Sequence, residues 1–406
     1  MFDSTSDPTV PVFADGGNPV LKILFYIDDM KEFDNGSEDF MPRILKAFLQ
    51  GSGVFVKCAA RPDEITEALL GEYHEVWLFL ASRKTQALTE TECLALRNWM
   101  DRGGGVLITG DHADLNDSGE FEGLGRPIGR FVPRARHMRI WDGPPGSLDQ
   151  YGRIDSTGPG IDSFALEQDA KPQRLELPRD VEGAPHVLFL DAQGVLLDRL
   201  PDHRHEGKVL VPATLTDEPN AKGGLLNEWA GSSLLPEIVA RGVDKRLGVS
   251  FDLMAAWDGH GVRTVKNNAD GSWHVCGRIL ADSSWHHYVN FNLVQIEAKN
   301  DPNGWGKIKA LYTNIAAWLA PPTIQRFFRE RAYAEARPQL EPIDGLTDEQ
   351  LGARALALFA TLLPGAWYHQ MIDDRLAEHA AATMQSLPRE SVAPLIGASM
   401  RRYIAG

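Results

Sequence analysis

Apolar runs alternate with polar, helically spaced segments along the first third of the chain. Val20 to Asp28, VLKILFYID, is almost continuously apolar and ends in acids. Such a run suits a strand covered on both faces, as in a parallel sheet. Gly53 to Ala60 and Glu75 to Ser82 read the same way, and Val106 to Gly110 is a fourth strand. Between them the spacing turns helical. Ser37 to Gln50 is amphipathic, with Ser37 placed to cap it. Thr89 to Arg102 opens on a Thr89-x-x-Glu92 capping box. Gly103 to Gly105 then offers the left-handed residue that commonly closes a helix. This alternation predicts a three-layer α/β unit around a parallel sheet.

Farther along, the pattern weakens. Residues 116–185 are rich in Gly, Pro, Arg and Asp with little periodicity, which predicts a functional insertion or lid. His186 to Asp202 reads as a hairpin turning at Ala192-Gln193-Gly194. Leu247 to Leu253 and Gly277 to Ser284 read as two more strands. After Pro321-Pro322 the composition shifts to Ala, Leu, Arg and Glu at helical spacing. The division expected is a leader over 1–19, an α/β domain over 20–320 with an insertion at about 116–246, and a helical region over 321–406.

Composition narrows the function classes. With 406 residues, 43% hydrophobic and 24% charged, the chain is globular. A net charge of −15 argues against nucleic acid as the main partner, since phosphate binding needs a basic surface. The three cysteines, Cys58, Cys93 and Cys276, have neither disulfide-framework nor metal-ligand spacing, which fits a reducing compartment. The opening MFDSTSDPTVPVFADGG has no basic n-region or apolar h-region. No apolar run approaches the roughly 20 residues of a membrane span. The expectation is a soluble cytoplasmic protein with a small-molecule ligand and no membrane partner.

Candidate chemistry gathers at strand ends, where open parallel sheets bind ligands. The first strand ends in Asp28-Asp29, the fourth in Asp111-His112-Ala113-Asp114, and the late strand in Asp282-Ser283-Ser284-Trp285-His286-His287. A fourth cluster, Asp202-His203-Arg204-His205-Glu206, follows the predicted hairpin. Six of the twelve histidines lie in or near these clusters if His260 of Trp257-Asp258-Gly259-His260 is included. Histidine with carboxylate provides a general acid and base. The same side chains are N/O ligands for a divalent transition metal, with His112, His205, His286 and His287 as the candidates. The structural alternative is that Asp111 caps the next helix and that the paired histidines divide between core and solvent. No P-loop, GxGxxG or Gly-x-Ser-x-Gly motif is present, so no nucleotide cofactor is expected. Arg134 and Arg136 alternate as if on one face of a strand, with Arg139 beyond. Guanidinium groups there would grip a carboxylate or phosphate, or else balance surface acids. Trp141, Trp257 and Trp285 lie beside polar clusters, where tryptophan can stack on a sugar or base or pack the core.

The run LTETECLALRNWMDRGGGVLITGDHA, preceded by EVWLFLAS, resembles the class I glutamine amidotransferase-like superfamily, nearest to its ThuA-like (trehalose-utilisation) group. The matching features are Leu88-Thr89, Gly103 to Gly105, His112, and Gly277-Arg278-Ile279 with His286 or His287. They cover roughly residues 20–115 and 270–318. The resemblance implies a sugar-related role in some members. True class I amidotransferases hold a cysteine in a Gly-x-Cys-x-Gly elbow. Here Gly110-Asp111-His112-Ala113-Asp114 has histidine in that place and lacks the closing glycine. A cysteine-dependent glutaminase is therefore not expected.

The reading is a flavodoxin-like three-layer parallel sheet with irregular insertions and a helical C-terminal region. The function expected is hydrolytic or other acid/base chemistry on a polar small molecule, sugar- or amide-containing, with or without a metal. Asp111 and His112 form the central pair, His286 and His287 supply a second base, and His205 with Glu206 completes the site. Asp28, Asp29, Arg136 and Trp285 would bind substrate. The alternatives are a non-catalytic ligand-binding or assembly protein, forming homo-oligomers through its C-terminal helices, and a metal-dependent oxygenase or isomerase.

Overall fold

A computed structural model describes residues 20–27, 42–60, 64–79, 88–109, 131–138, 172–201, 209–215, 227–244, 249–266, 271, 273–290, 292–293, 301–383 and 386–405. Its centre is a seven-stranded sheet. The strands are β1 (Lys22–Ile27), β2 (Phe55–Ala60), β3 (Glu75–Phe79), β4 (Gly105–Ile108), β7 (Glu237–Asp244), β8 (Val249–Trp257) and β11 (Ile279–Asp282). Their order is β2-β1-β3-β4-β11-β8-β7. The first five run parallel, whereas β8 is antiparallel to β11 and β7 antiparallel to β8. The sheet is therefore mixed rather than parallel throughout. Every residue of β3 and β4 is buried, as their unbroken apolar character requires.

Two apolar clusters cover the two faces, giving three layers. One joins β1 residues Phe25 and Ile27 to helices α1 (Arg43–Gly51) and α4 (Pro302–Leu319). The other joins Leu24, Val76 and Ile108 to α3 (Glu90–Met100), with the short α2 (Glu67–Leu70) beside it. The Thr89–Glu92 capping box forms as expected. The first helix instead starts after Pro42, with no side-chain cap, six residues beyond the expected start. Proline lacks an amide proton and disfavours helical geometry in the residue before it. Ser37 lies outside the described residues.

The triple glycine is required by close approach. Gly103 has φ +102°. A Cβ on Gly105 would sit 2.2 Å from the Leu319 carbonyl oxygen, and one on Gly277 1.9 Å from that of Gly104. The β4, β11 and α4 backbones thus meet at the sheet's amino edge with no room for a side chain.

The predicted hairpin over 186–202 keeps its turn but not its strands. Asp191 accepts from the Gln193 and Val195 amides, and Gly194 has φ +79°. Around it the chain forms a 3-10 turn at Val187–Phe189 and an isolated Leu190–Leu196 bridge. A two-residue ribbon follows between β5 (Gln173–Arg174) and β6 (Arg199–Leu200). A further exposed ribbon pairs β9 (Arg263–Lys266) with β10 (Trp273–Val275). The last helices are α5 (Pro322–Leu340), α6 (Asp348–Leu362), α7 (Gly365–Thr383) and α8 (Val392–Ala405). No described helix is long and apolar enough to cross a membrane.

Glu75 is an anomaly in this core. It is fully buried, its Oε2 accepts from Trp77 Nε1 at 2.8 Å, and its Oε1 has no partner among the described residues. Burial raises its pKa well above the usual carboxylate range, and the Trp77 bond offsets only part of this. The folded state thus favours the neutral acid. That contribution is complete below the unfolded pKa of about 4 and is lost as pH rises toward the folded value. Glu75→Gln should therefore be more stable than wild type at pH 8, by about 1–3 kcal/mol. The difference should vanish near pH 4. Urea denaturation at both pH values checks this, and a variant no more stable at pH 8 would refute the buried-acid account.

Candidate active site

The carboxyl edge of the parallel strands carries one fully described polar cluster, at the end of β11. The chain there makes a 3-10 turn, Trp285–Tyr288, capped by Ser284, whose hydroxyl accepts from the His286 amide at 3.2 Å. The turn folds His287 and Tyr288 back over Asp282. Asp282 is fully buried. Its Oδ1 accepts from His287 Nδ1 at 2.8 Å and from the Ser284 amide at 3.0 Å. Its Oδ2 accepts from the Tyr288 hydroxyl at 2.7 Å. Tyr312 of α4 donates to the His287 carbonyl. Burial, with the Asp282 carboxylate adding to it, holds both tyrosine hydroxyls well above their ordinary pKa.

This geometry assigns the histidine tautomer. A carboxylate only accepts, so Nδ1 carries the proton and Nε2 is left as the basic nitrogen. Gln173 of β5 places its amide nitrogen 3.4 Å from Nε2 and donates to the Pro201 carbonyl at 3.1 Å. A buried carboxylate fixing an imidazole with its far nitrogen basic is the acid/base element of many hydrolytic sites. Trp285 stacks on His286, with ring centroids 3.7 Å apart. The two histidine rings thus have different surroundings. Among the described residues, no group of three or more His, Cys, Asp or Glu side chains is placed to hold a metal.

Asp28, Asp29, Asp111, His112, His205 and Glu206 lie outside the described residues. The strands that lead to four of them are described. β1 and β4 run parallel to β11, so all three end at the same sheet edge. The segment carrying His205 and Glu206 starts just after Pro201, the carbonyl partner of Gln173. His260 belongs elsewhere. It follows β8, which is antiparallel, and so lies toward the amino edge of the parallel strands. Gln173, Tyr288 and Tyr312 were not expected from sequence. The spacing Asp282-x4-His287-Tyr288 is visible, but the turn that makes it a contact is tertiary.

Arg134 and Arg136 are not on a strand. Arg134 has φ +61°, and Ala135–Met138 form a 3-10 turn. Arg134 is fully buried against Asp101, and its amide donates to Glu228. Arg136 pairs with Glu228 at 2.8 Å, with His137 at 3.2 Å from the same oxygen. Hydrogen bonds from these residues and the nearby positive charge outweigh burial and hold Glu228 down at about 2. The pair spans 131–138 and 227–230, so the described role of Arg136 is internal.

The amino edge carries a separate polar cavity of about 380 Å³. Arg278 grips Asp258 with two bonds of 2.9 Å and lies over the Trp318 ring. Asp258 is held far below the usual carboxylate range because that guanidinium outweighs burial. Beside it, burial and Arg278 lower His186 to about 4. Two of the three cysteines, Cys93 and Cys276, lie outside both places. Both are buried, the Cys93 thiol donates to the Phe131 carbonyl at 3.4 Å, and burial pushes Cys276 up to about 12. A thiol so hard to ionise is a poor nucleophile.

No family model matches the chain. No curated protein matches it. A solved structure of a protein described as ThuA-like, from Bacteroides uniformis, is 12% identical, with a TM-score of 0.33, over 75% of this chain and 95% of its own. A likeness that slight bears on neither fold nor chemistry.

Proposed function

We propose that the protein is an acid/base enzyme acting on a polar small molecule at the carboxyl edge of its sheet. The observation that carries this is the buried Asp282–His287 pair, with Nδ1 held at 2.8 Å and Nε2 left basic. His287 would move the proton, Asp282 would orient and polarise it, and Gln173 stands where a substrate group would donate to Nε2. The β5–β6 ribbon that carries Gln173 would then act as the cover of the site. The frame we infer is flavodoxin-like, of the class I glutamine amidotransferase-like kind without its cysteine. The order β2-β1-β3-β4-β11 of the five parallel strands supports it. Asp111, His112, His205 and Glu206 are proposed to join His287 at this edge, and a divalent metal there would polarise a substrate oxygen.

The test is a panel of chromogenic esters, amides, glycosides and phosphoesters, assayed with wild type and His287→Gln. Glutamine keeps a donor for Asp282 but cannot exchange protons near neutral pH. Turnover should fall by about 100-fold or more in the variant, since positioned proton transfer contributes about 10²–10⁴-fold. Full turnover in His287→Gln would sink the assignment. Failure of the wild type on every class would favour a ligand-binding protein on the same frame.

A further inference from the structure

We infer that the groove between α5, α7 and α8 is a second binding site, for a small organic anion with a flat apolar body. The groove encloses about 880 Å³, within the range of small-ligand sites. Each helix contributes one stripe. Arg326, Arg329 and Tyr333 recur at three- and four-residue spacing on α5, Met371 and Arg375 do so on α7, and Arg402 with Tyr403 closes the end on α8. The floor is aromatic and apolar. Tyr333 and Tyr403 meet edge to face with centroids 5.7 Å apart, next to buried Met371.

The rim is cationic in a chain of net charge −15. Its four arginines face three carboxylates. Arg329 pairs with Asp374, Arg326 with Glu330 at 2.8 Å, and Arg375 with Glu378 at 2.7 Å. Among the described residues Arg402 has no carboxylate partner, and its Nη2 donates a long 3.4 Å bond to Ser399. The exposed Arg326–Glu330 pair is worth little and can open to a ligand.

The second mark of a site is the Tyr333 hydroxyl. Tyr333 is 8% exposed, and its hydroxyl oxygen lies against the Arg375 guanidinium, while its own proton has no acceptor among the described residues. A buried hydroxyl proton without an acceptor costs stability unless something else supplies one. A ring laid on the Tyr333–Tyr403 floor would place its anionic group between Arg402 and Arg375, with the hydroxyl donating to it.

The probe is phenylphosphonate, which cannot be hydrolysed, titrated calorimetrically into the full-length protein. Methylphosphonate, with the same charge and no ring, is the control. Saturable binding is expected. Arg402→Gln should weaken it roughly tenfold, as loss of a charge-assisted contact does. Tyr333→Phe should weaken it about threefold or more. Arg402 is exposed, so its replacement leaves folding intact. No saturable binding, or unchanged binding in both variants, would overturn the site. Equal binding of methylphosphonate would overturn the flat apolar body.

Discussion

Removing residues 321–406 is expected to unfold the α/β core rather than release it intact. The composition change at Pro321-Pro322 marks a helix boundary, because Pro322 opens α5. It does not mark a gap in packing. Asn314 of α4 donates to the Leu188 and Leu190 carbonyls and accepts from the Ala366 amide. Trp367 donates to the Ala317 carbonyl, His369 bonds the Asp191 carbonyl at 2.7 Å, and Gln370 accepts from buried Arg278. A Cβ on Gly365 would lie 2.1 Å from the Leu190 carbonyl oxygen, so α7 begins against the 186–202 turn. One apolar cluster runs from Phe25 and Trp77 through Ile315 and Trp318 to Trp367, Met371 and Ile396. Each large side chain stripped of cover loses about 1.5–3 kcal/mol. A handful of them exceeds the roughly 5–15 kcal/mol that holds a domain folded. Circular dichroism of a chain ending at residue 320 should show no cooperative melt. A sharp melt near the full-length Tm would show instead that the helices are a detachable module.

The elements read correctly from sequence were those with one unambiguous environment. β1 and β3 are covered on both faces, so their apolar runs are continuous, and the Thr89–Glu92 box is a local event three residues long. β7 went unread because a register shift around Ala240 interrupts its alternation. Glu237 and Arg241 face outward on it, and it is held by pairing with β8 and by a bridge between Arg241 and Glu176. Its residues fell within the stretch read as insertion. Helix α4 was missed as well, although Asp301 caps it and Pro302 opens it. The Arg134–Arg136 alternation mimicked a strand because a period of two says nothing about φ. The +61° at Arg134 is sustained by tertiary bonds to Asp101 and Glu228. At the site, Asp282 and His287 were legible as chemistry. Their contact, the tautomer it sets and the approach of Gln173 depend on a 3-10 turn and on a segment 114 residues away.

Replacing Asp282 should separate what this carboxylate does for the fold from what it does for His287. Asp282→Ala leaves three buried donors, His287 Nδ1–H, the Tyr288 hydroxyl and the Ser284 amide, without their acceptor. Each such group costs about 1–3 kcal/mol. A loss of about 4 kcal/mol or more in urea denaturation is expected, larger than for any exposed substitution. Asp282→Asn is different. Its amide oxygen still accepts one bond, and the Tyr288 hydroxyl can turn to accept from the amide nitrogen, so stability should fall by only about 1–2 kcal/mol. The imidazole then loses the charge that fixes its proton on Nδ1. Nitrogen-15 spectra of labelled histidine should show His287 shifting toward the Nε2–H form, and any turnover found in wild type should fall with it. A loss under about 1 kcal/mol in Asp282→Ala would mean water replaces the carboxylate easily and the cluster is open to solvent. An unchanged tautomer in Asp282→Asn would mean that Gln173, not Asp282, sets the proton, and the basic nitrogen would have to be reassigned.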